Sequence, residues 1–367
     1  MKRLCFLLPK ALCLVALAGL LPAADSPVLS SPEDAVPCFE PVPLPRSLSL
    51  CGERMPLEDP NVREMLDREL LTSVWDRARA FLWFKRAARY FPHIEKKLAA
   101  AGMPDDLKYL SVAESSLIPN IRSSAGALGT WQFMAATGER MGLRYDQYLD
   151  ERMDFERATE AALLYLRQLK EMFGSWTTAM AAYNCGENRV KSEMKEQRVT
   201  DYYRLDLPPE TERYVFRIAA IKLILENPRR YGFSISKDQL YPSLPYDSVS
   251  VSVRAPIHIA DVAETLGTDY KMIRELNPQI LGRHLPTGSY VLKVPPGSGP
   301  RLSRLLKQHN APPQPPGERT ENTYTVKPGD TLIDISRRTG VPLDALRKFN
   351  HLQDSYISPG QKLRLAP

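Results

Sequence analysis

Apolar side chains recur at helical spacing in the segment that begins at Pro104. Leu107, Leu110 and Leu117 fall on one face of the helix that this spacing predicts, which runs through residue 117. Glu114 shares that face. A glutamate in such a position is more often a core or cleft-edge residue with a polar partner. If it is catalytic, burial should raise the pKa of its carboxyl group, which suits a general acid near neutral pH.

A second helix is predicted farther along the chain. Ser175 is typical of an N-cap, and the helix that it begins should run over residues 176–184 until Gly186 stops it. Tyr183 and Asn184 lie at its C-terminal end, where side chains can turn into a cleft and bind a sugar or orient Glu114. The alternative is a packed Tyr183 and a capping Asn184.

Small residues dominate the segment 123–129, which predicts a tight turn that brings the backbone close to a ligand. The amide of Gln132 can donate and accept hydrogen bonds, as sugar hydroxyls and N-acetyl groups require, so we favour a substrate contact there. Met134 belongs to the apolar side of this segment. A helix N-terminus with Trp131 and Phe133 in the core is the alternative, and for Trp131 we prefer it.

These motifs, in this order and spacing, resemble those of the soluble lytic transglycosylases, bacterial enzymes with a lysozyme-like fold that cleave peptidoglycan glycan strands. A later segment is similar to one in the membrane-bound branch of that family, and it implies that Tyr214 hydrogen-bonds the catalytic carboxyl group. The four stretches that carry the resemblance are Glu114-Ser115, Gly129-Thr130-Trp131-Gln132, Ala182-Tyr183-Asn184-Cys185-Gly186 and residues 208–215.

The resemblance implies a mechanism with one carboxyl group. Glu114 protonates the leaving oxygen of the β-1,4 bond between N-acetylmuramic acid and N-acetylglucosamine while the N-acetyl group assists. The same residue then acts as a base on the muramic C6 hydroxyl, which gives a 1,6-anhydro end without consuming water. The implied substrate-binding residues are Ser115, Ser123, Gln132, Met134, Tyr183, Asn184 and Tyr214.

Hydrolysis by the same fold is the nearest alternative, and glycosidases usually place two acids about 5 to 9.5 Å apart for it. Glu187 and Glu210 follow the motifs, but we expect them to stabilise the helices that come next. The run 150–154 should hold helices together through ion pairs. A second alternative is an inactive, wall-binding scaffold, against which the intact motifs speak.

The end of the chain combines a β-rich run at 324–326, a turn at Pro328-Gly329-Asp330 and helical spacing through Leu332, Ile335 and Leu346. Together with a closing strand, this pattern resembles a LysM domain, a β-α-α-β unit that binds chains containing N-acetylglucosamine. The resemblance covers residues 323–367. The implied sugar-binding residues are Gly329, Asp330, Thr331, Leu332, Ile357 and Pro359.

The same pattern occurs once earlier, at a shift of 73 residues that sets Asn350 on Asn277. We therefore predict a degenerate LysM copy over residues 249–295. Its first loop reads Pro256-Ile257-His258 where the other copy has Gly329-Asp330-Thr331, so the fold can persist while sugar binding is lost. The proline-rich stretch 296–322 is predicted to be a semi-rigid linker.

The first residues read as a secretory signal over 1–24, and an uncleaved anchor is the alternative. Such a signal predicts an exported protein of the bacterial periplasm or cell envelope. Residues 25–57 are rich in proline and serine and are expected to form an irregular arm. Cys38 and Cys51 could pair in an oxidising compartment, which would leave Cys185 single.

Composition narrows the function further. The formal charge of +6 over 367 residues is modest, so nucleic acid is not indicated. The five histidines are scattered, and no His/Cys cluster has metal-ligand spacing, so we expect neither metal nor cofactor. We predict a multidomain monomer with an all-α lysozyme-like domain over 58–235 and two α+β modules. Its expected partner is peptidoglycan, and association with a membrane or other wall enzymes stays open.

Overall fold

The computed structural model describes residues 41–310 and 322–366. The predicted signal over 1–24, the first part of the predicted arm and Cys38 lie outside the described residues, so the proposed Cys38–Cys51 pairing stays a prediction. Within the described ranges, no helix is long and apolar enough to cross a lipid bilayer.

The arm predicted over 25–57 is not irregular throughout, because a small hairpin lies within it. Strand β1 (Leu48–Leu50) pairs antiparallel with β2 (Glu53–Met55). Leu50 and Met55 are buried in the core that the following helices form. The Glu53 carboxylate accepts hydrogen bonds from the backbone N–H groups of Trp176 and Thr177, at a helix N-terminus. The hairpin is therefore part of the helical domain.

Among the residues described, from 41 onward, eight helices build the first domain, with short 3-10 turns between several of them. Helix α8 packs against α1, α3 and α6 and supplies much of the buried core, including Val215, Ile218 and Ile221. The helices are α1 (Pro60–Trp75), α2 (Arg77–Ala101), α3 (Lys108–Ser115), α4 (Ala135–Arg140), α5 (Phe155–Phe173), α6 (Trp176–Cys185), α7 (Glu187–Gln197) and α8 (Pro209–Glu226).

Helix α3 differs from its prediction at both ends. A 3-10 turn over Asp105–Leu107 precedes it, and the helix ends at Ser115 rather than at residue 117. Ser116 and Leu117 have left-handed backbones, with φ of 53° and 61°. The predicted apolar face is nevertheless buried, since Leu107, Leu110 and Leu117 are fully inaccessible to solvent. Helix α6 begins and ends within a residue of its prediction, with Ser175 as N-cap.

Two β-α-α-β units follow: a first repeat (residues 247–294) and a second repeat (residues 323–364). In each, the first and last strands pair antiparallel. The first repeat contains β3 (Asp247–Val253), β4 (Ile257–His258), α9 (Ile259–Leu266), α10 (Tyr270–Leu276), β5 (His284–Leu285) and β6 (Gly288–Val294), and the second contains β7 (Thr323–Thr325), α12 (Leu332–Thr339), α13 (Leu343–Phe349) and β8 (Lys362–Arg364).

One asparagine makes the same hydrogen bonds in both repeats. The amide nitrogen of Asn277 donates to the backbone oxygen of Lys293 at 2.7 Å, and its oxygen accepts from the Lys293 N–H at 2.9 Å. Asn350 does the same with Arg364, at 2.8 and 2.6 Å. This shared clasp between the second helix and the last strand supports the predicted internal repeat and makes Lys293 and Arg364 equivalent positions.

The linker predicted over 296–322 is wrong in its first half. Helix α11 (Gly299–His309) occupies it, and Leu302 and Leu306 are buried in the core of the first repeat. The two leucines are four residues apart and so share a helix face. The prolines that suggested an extended spacer flank this helix, and residues 311–321 lie outside the described part of the chain.

Candidate active site

Glu114 lies in a cavity of about 540 Å³ in the helical domain. Helix α3 contributes Glu114, the segment 123–134 forms one wall, the C-terminal end of α6 forms another, and one face of α8 closes the site. The three motifs that are far apart in sequence thus line one cleft.

The Glu114 carboxyl group is half-buried, and its surroundings change its acidity. Burial raises its pKa to about 7, against the opposing effects of a hydrogen bond from Tyr214 and the positive charge of Arg217. Glu210 adds a smaller upward effect through its negative charge. Near neutral pH this group can therefore exist both as an acid and as a carboxylate, as a residue that donates and later removes a proton must.

Two tyrosines surround this carboxyl group. The hydroxyl of Tyr214, which is 1% exposed, donates a hydrogen bond to Oε1 of Glu114. Burial and the negative charge of Glu114 hold the pKa of Tyr214 far above its ordinary value, so the phenol remains a donor. Tyr183 donates instead to the backbone oxygen of Trp131 at 2.8 Å, which joins the second motif to the third. Its ring also lines the cavity.

The glycine-rich segment is held by backbone contacts from within the protein. Gly129 has a φ of +87°, and a Cβ atom there would lie 1.9 Å from the backbone oxygen of Arg152. Arg152 is buried, pairs with Asp150 and donates to the backbone oxygens of Gly126 and Phe133. The close approach at Gly129 is therefore to the backbone of Arg152, while the approach of the segment 123–129 to a ligand stays a prediction. The run 150–154 was expected to hold helices together through ion pairs, but this pair joins two of its own residues.

Gln132 lines the cavity from an unusual backbone conformation, with φ of 49°. Its amide nitrogen donates to the backbone oxygens of Gly129 at 2.8 Å and Ile121 at 3.1 Å. The amide nitrogen of Gln132 thus stabilises the loop that contains Gly129, while its amide oxygen has no part in these two bonds. Trp131 is fully buried, as preferred from the sequence, and its indole donates to Thr159.

The remaining predicted contacts divide between the cavity and the interior. Ser123 and Met134 line the cavity, and Met134 is 46% exposed. Asn184 lines it too, and its oxygen accepts a hydrogen bond from Thr211 at 2.8 Å. Ser115 was predicted to bind substrate, but it is buried and donates to the backbone oxygen of Thr130. One residue turns a helix face by about 100°, so Ser115 faces away from Glu114.

Three charged residues of the cavity were not predicted as site residues. Glu187 is bound by Arg140 and by the hydroxyl of Tyr165, both at 2.6 Å. Although burial opposes it, these partners lower the pKa of Glu187 to about 2. Glu210 and Arg217 also line the cavity, from α8. Both share a helix face with Tyr214, at spacings of four and three residues, and that periodicity is the signal that could have found them.

The predicted sugar-binding residues of the second repeat differ in their exposure to solvent. Gly329, Thr331 and Pro359 are exposed, and Ile357 is half-buried. Leu332 is instead buried in the module core, so its side chain is not available to a sugar. The Asp330 carboxylate accepts hydrogen bonds from Tyr324, Arg338 and the backbone of Lys327. Its side chain therefore holds the module together.

Within residues 41–310 and 322–366, no three His, Cys, Asp or Glu side chains come together in a group that could hold a metal ion. The polar side chains of the site described above carry carboxyl, phenol, amide, hydroxyl and guanidinium groups.

Comparison with known proteins gives sequence matches to the helical domain and to the second repeat. The family model of the transglycosylase SLT domain matches residues 91–205, and that of the LysM domain matches residues 324–366. The LysM match covers the second repeat. The first repeat resembles the second in its topology and in the shared asparagine clasp, and its identity as a LysM copy stays a prediction.

Among curated proteins, the chain is similar to membrane-bound lytic murein transglycosylase D of Escherichia coli (strain K12), with 32% identity over 292 residues. The similar region is 76% of this chain and 64% of that relative. Peptidoglycan transglycosylase gp16 of Escherichia phage T7 is 36% identical over 105 residues, 28% of this chain and 8% of the phage protein.

A solved structure, that of the lytic transglycosylase Slt from Pseudomonas aeruginosa, aligns with a TM-score of 0.30 and 18% identity over 41% of this chain and 26% of that one. The sequence matches carry the assignment. The chain is similar to membrane-bound lytic murein transglycosylase D over less than two thirds of that relative's length, and it has a transglycosylase SLT domain followed by a LysM domain.

Proposed function

We propose that this protein is a peptidoglycan lytic transglycosylase that cleaves the β-1,4 bond between N-acetylmuramic acid and N-acetylglucosamine. One observation carries the proposal: a half-buried Glu114 lies in the cavity formed by the three motifs, and burial raises its pKa to about 7. A carboxyl group with this acidity can donate a proton to a glycosidic oxygen and then accept one.

In the first step, Glu114 donates its proton to the leaving oxygen as the bond to muramic C1 breaks. The carbonyl oxygen of the substrate's N-acetyl group bonds to C1 and balances the charge that develops there. Tyr214 then stabilises the Glu114 carboxylate through its hydrogen bond. Arg217 lowers the energy of the same anion through its positive charge.

In the second step, the Glu114 carboxylate removes the proton of the C6 hydroxyl. Oxygen 6 attacks C1, and the bond to the N-acetyl oxygen breaks. The acid form of Glu114 is regenerated and the product has a 1,6-anhydro end. Ser123, Gln132, Met134, Tyr183 and Asn184 hold the sugars, since they line the cavity around Glu114.

Hydrolysis by the usual pair of carboxyl groups would need a second acid to activate water or to bond C1. Glu187 lines the cavity, but its pKa of about 2 makes it a weak base, and Arg140 and Tyr165 occupy its oxygens. This arrangement disfavours Glu187 as the second acid of a two-carboxyl hydrolase, and the mass of the released ends decides whether water or the C6 hydroxyl reacts.

We further propose that the protein acts in the cell envelope, exported by the segment 1–24. The E. coli relative is named as a membrane-bound murein enzyme. The second repeat binds the glycan strands and raises the local concentration of cleavable bonds around the helical domain.

The test is mass analysis of the fragments that the purified protein releases from sacculi. A transglycosylase gives muramic ends that are one water lighter than reducing ends. Reducing ends would identify a hydrolase instead, and intact sacculi that retain bound protein would identify a scaffold.

A further inference from the structure

We infer that the first repeat is an internal brace whose Lys293 positions the substrate-binding segment 126–133 of the helical domain. This gives the first repeat a role other than wall binding. The catalytic part of the inference rests on the proposed transglycosylase activity, whereas the structural part does not.

Backbone hydrogen bonds join the first repeat to the helical domain. The N–H of Asp150 donates to the oxygen of Gln279 at 2.8 Å, and the N–H of Leu281 donates to the oxygen of Tyr148 at 2.8 Å. Leu149, from the helical domain, is 5% exposed and belongs to the hydrophobic core of the first repeat. The segment 148–150 is thus held like an added strand of the repeat.

Ion pairs also join the first repeat to the helical domain. The Lys293 ammonium group, with its side chain 8% exposed, pairs with Asp154 at 3.1 Å and with Glu156. Asp154 is the N-cap of α5, where it accepts the backbone N–H groups of Glu156 and Arg157. Tyr246 also donates to Glu156. One lysine of the first repeat therefore neutralises two acids at the start of α5.

The segment that the repeat holds is the one that supports the cavity wall. Asp150 accepts two hydrogen bonds from the Arg152 guanidinium group, at 2.9 and 2.7 Å. The same group donates to the backbone oxygen of Phe133 at 3.2 Å, while the Arg152 carbonyl lies against Gly129. Contacts therefore continue from the first repeat through Asp150 and Arg152 to the residues that line the cavity.

The second repeat offers a matched control. Arg364 occupies the position equivalent to Lys293, since the backbone of each residue makes the asparagine clasp that the two repeats share. Arg364 is exposed, whereas Lys293 is buried against the helical domain. A methionine at each position removes a cation of similar length, so the difference between the two variants reports the docking contact.

The experiment compares the full-length wild type with Lys293→Met, Lys293→Arg and Arg364→Met. Hydrogen–deuterium exchange of residues 126–133 measures the order of the cavity wall, with α2 as internal reference. Turnover of short soluble glycan fragments is resolved into kcat and KM. Lys293→Met should speed exchange in 126–133 and raise KM about 5-fold, the size of a modest coupling between sites. Lys293→Arg should restore most of both, and Arg364→Met should change neither.

A purely structural loss would reduce the active fraction, which lowers kcat and leaves KM unchanged. If Lys293→Met does not fold, Ile280→Ala takes its place, because it removes packing beside Leu149 while every charge remains. Unchanged exchange in 126–133 and an unchanged KM in a folded interface variant would overturn the brace. If the wild type fails to cleave glycan at all, the proposed activity fails, and the exchange measurement still decides the brace.

Discussion

The Tyr214 hydroxyl donates a hydrogen bond to the Glu114 carboxylate across 100 residues of sequence. Tyr214 comes from α8 and Glu114 from α3, and the two helices pack against each other. The bond favours the charged form of Glu114, whereas burial favours the neutral form. The pKa of about 7 is the balance between them.

Replacing Tyr214 with phenylalanine should therefore shift the pH dependence of turnover. Loss of the hydrogen bond destabilises the carboxylate, so the pKa of Glu114 rises and the acid form persists to higher pH. The alkaline limb of the kcat profile should move to higher pH, while the rate at the optimum falls by about 10-fold or less. The measurement is kcat for soluble fragments across pH.

Tyr231→Phe is the matched control. Tyr231 is buried, and its hydroxyl has no hydrogen-bond partner in the described part of the chain. The pH profile of kcat for Tyr231→Phe should coincide with that of the wild type. A Tyr214→Phe profile that also coincides with it would remove Tyr214 from the acid–base chemistry.

Gly129 and Gly126 form a natural pair for testing the packed loop. Both have positive φ, 87° and 89°, but only Gly129 faces another backbone, at Arg152. Alanine at Gly126 should cost about 1 to 2 kcal/mol from backbone strain alone. Gly129→Ala should cost at least about 2 kcal/mol more, since the carbonyl of Arg152 cannot move freely. Denaturant unfolding of both variants measures the difference, and equal stability losses would contradict the close approach.

Local patterns explain what the sequence predicted well. The apolar face of α3 and the N-cap of α6 depend on residues within a few positions of each other, so periodicity and capping chemistry were sufficient. The positions of Tyr183 and Tyr214 around Glu114 came from motif resemblance, because α6 and α8 meet α3 only in the folded domain.

Contacts between distant segments explain what it missed. The residues near Gly129 in sequence do not predict its close approach to Arg152. The residues near Asp150 do not predict its hydrogen bond to Gln279. Ser115 was assigned to the substrate because it neighbours Glu114 in sequence, but the helix turns it inward. The prolines around α11 led to the prediction of a linker where a helix lies. The packing of that helix depends on contacts of Leu302 and Leu306 with the first repeat.

Removing residues 318–367 should separate binding from chemistry. The second repeat has its own hydrophobic core, so turnover of short soluble fragments should stay within about 2-fold of the wild type. Digestion of insoluble sacculi should slow by 10-fold or more, because an effective-concentration gain of about 10²–10⁴ is lost. Sacculus pull-down beside turnover measures both. Equal sacculus binding by the shortened and intact proteins would refute the targeting role.

Asp330 stabilises the second repeat through hydrogen bonds with Tyr324, Lys327 and Arg338. A substitution there therefore changes the stability of the module as well as any contact with sugar. Asp330→Ala should destabilise the module by about 1–3 kcal/mol, whereas Asp344→Ala, at an exposed first-turn acid of α13, should change stability little. Thermal unfolding distinguishes them. A loss of sugar binding in Asp330→Ala with unchanged stability would instead make this carboxylate a direct ligand.

The most direct test of the account is the rate at which Glu114→Gln releases anhydro-ended fragments from soluble glycan. The amide keeps the shape of the side chain and can still accept a hydrogen bond from Tyr214, but it can neither donate the proton nor take it back. The account predicts a rate lower than that of the wild type by at least about 10²–10⁴-fold, with thermal stability and glycan affinity retained. A folded Glu114→Gln variant that releases these fragments at a rate near that of the wild type would contradict it.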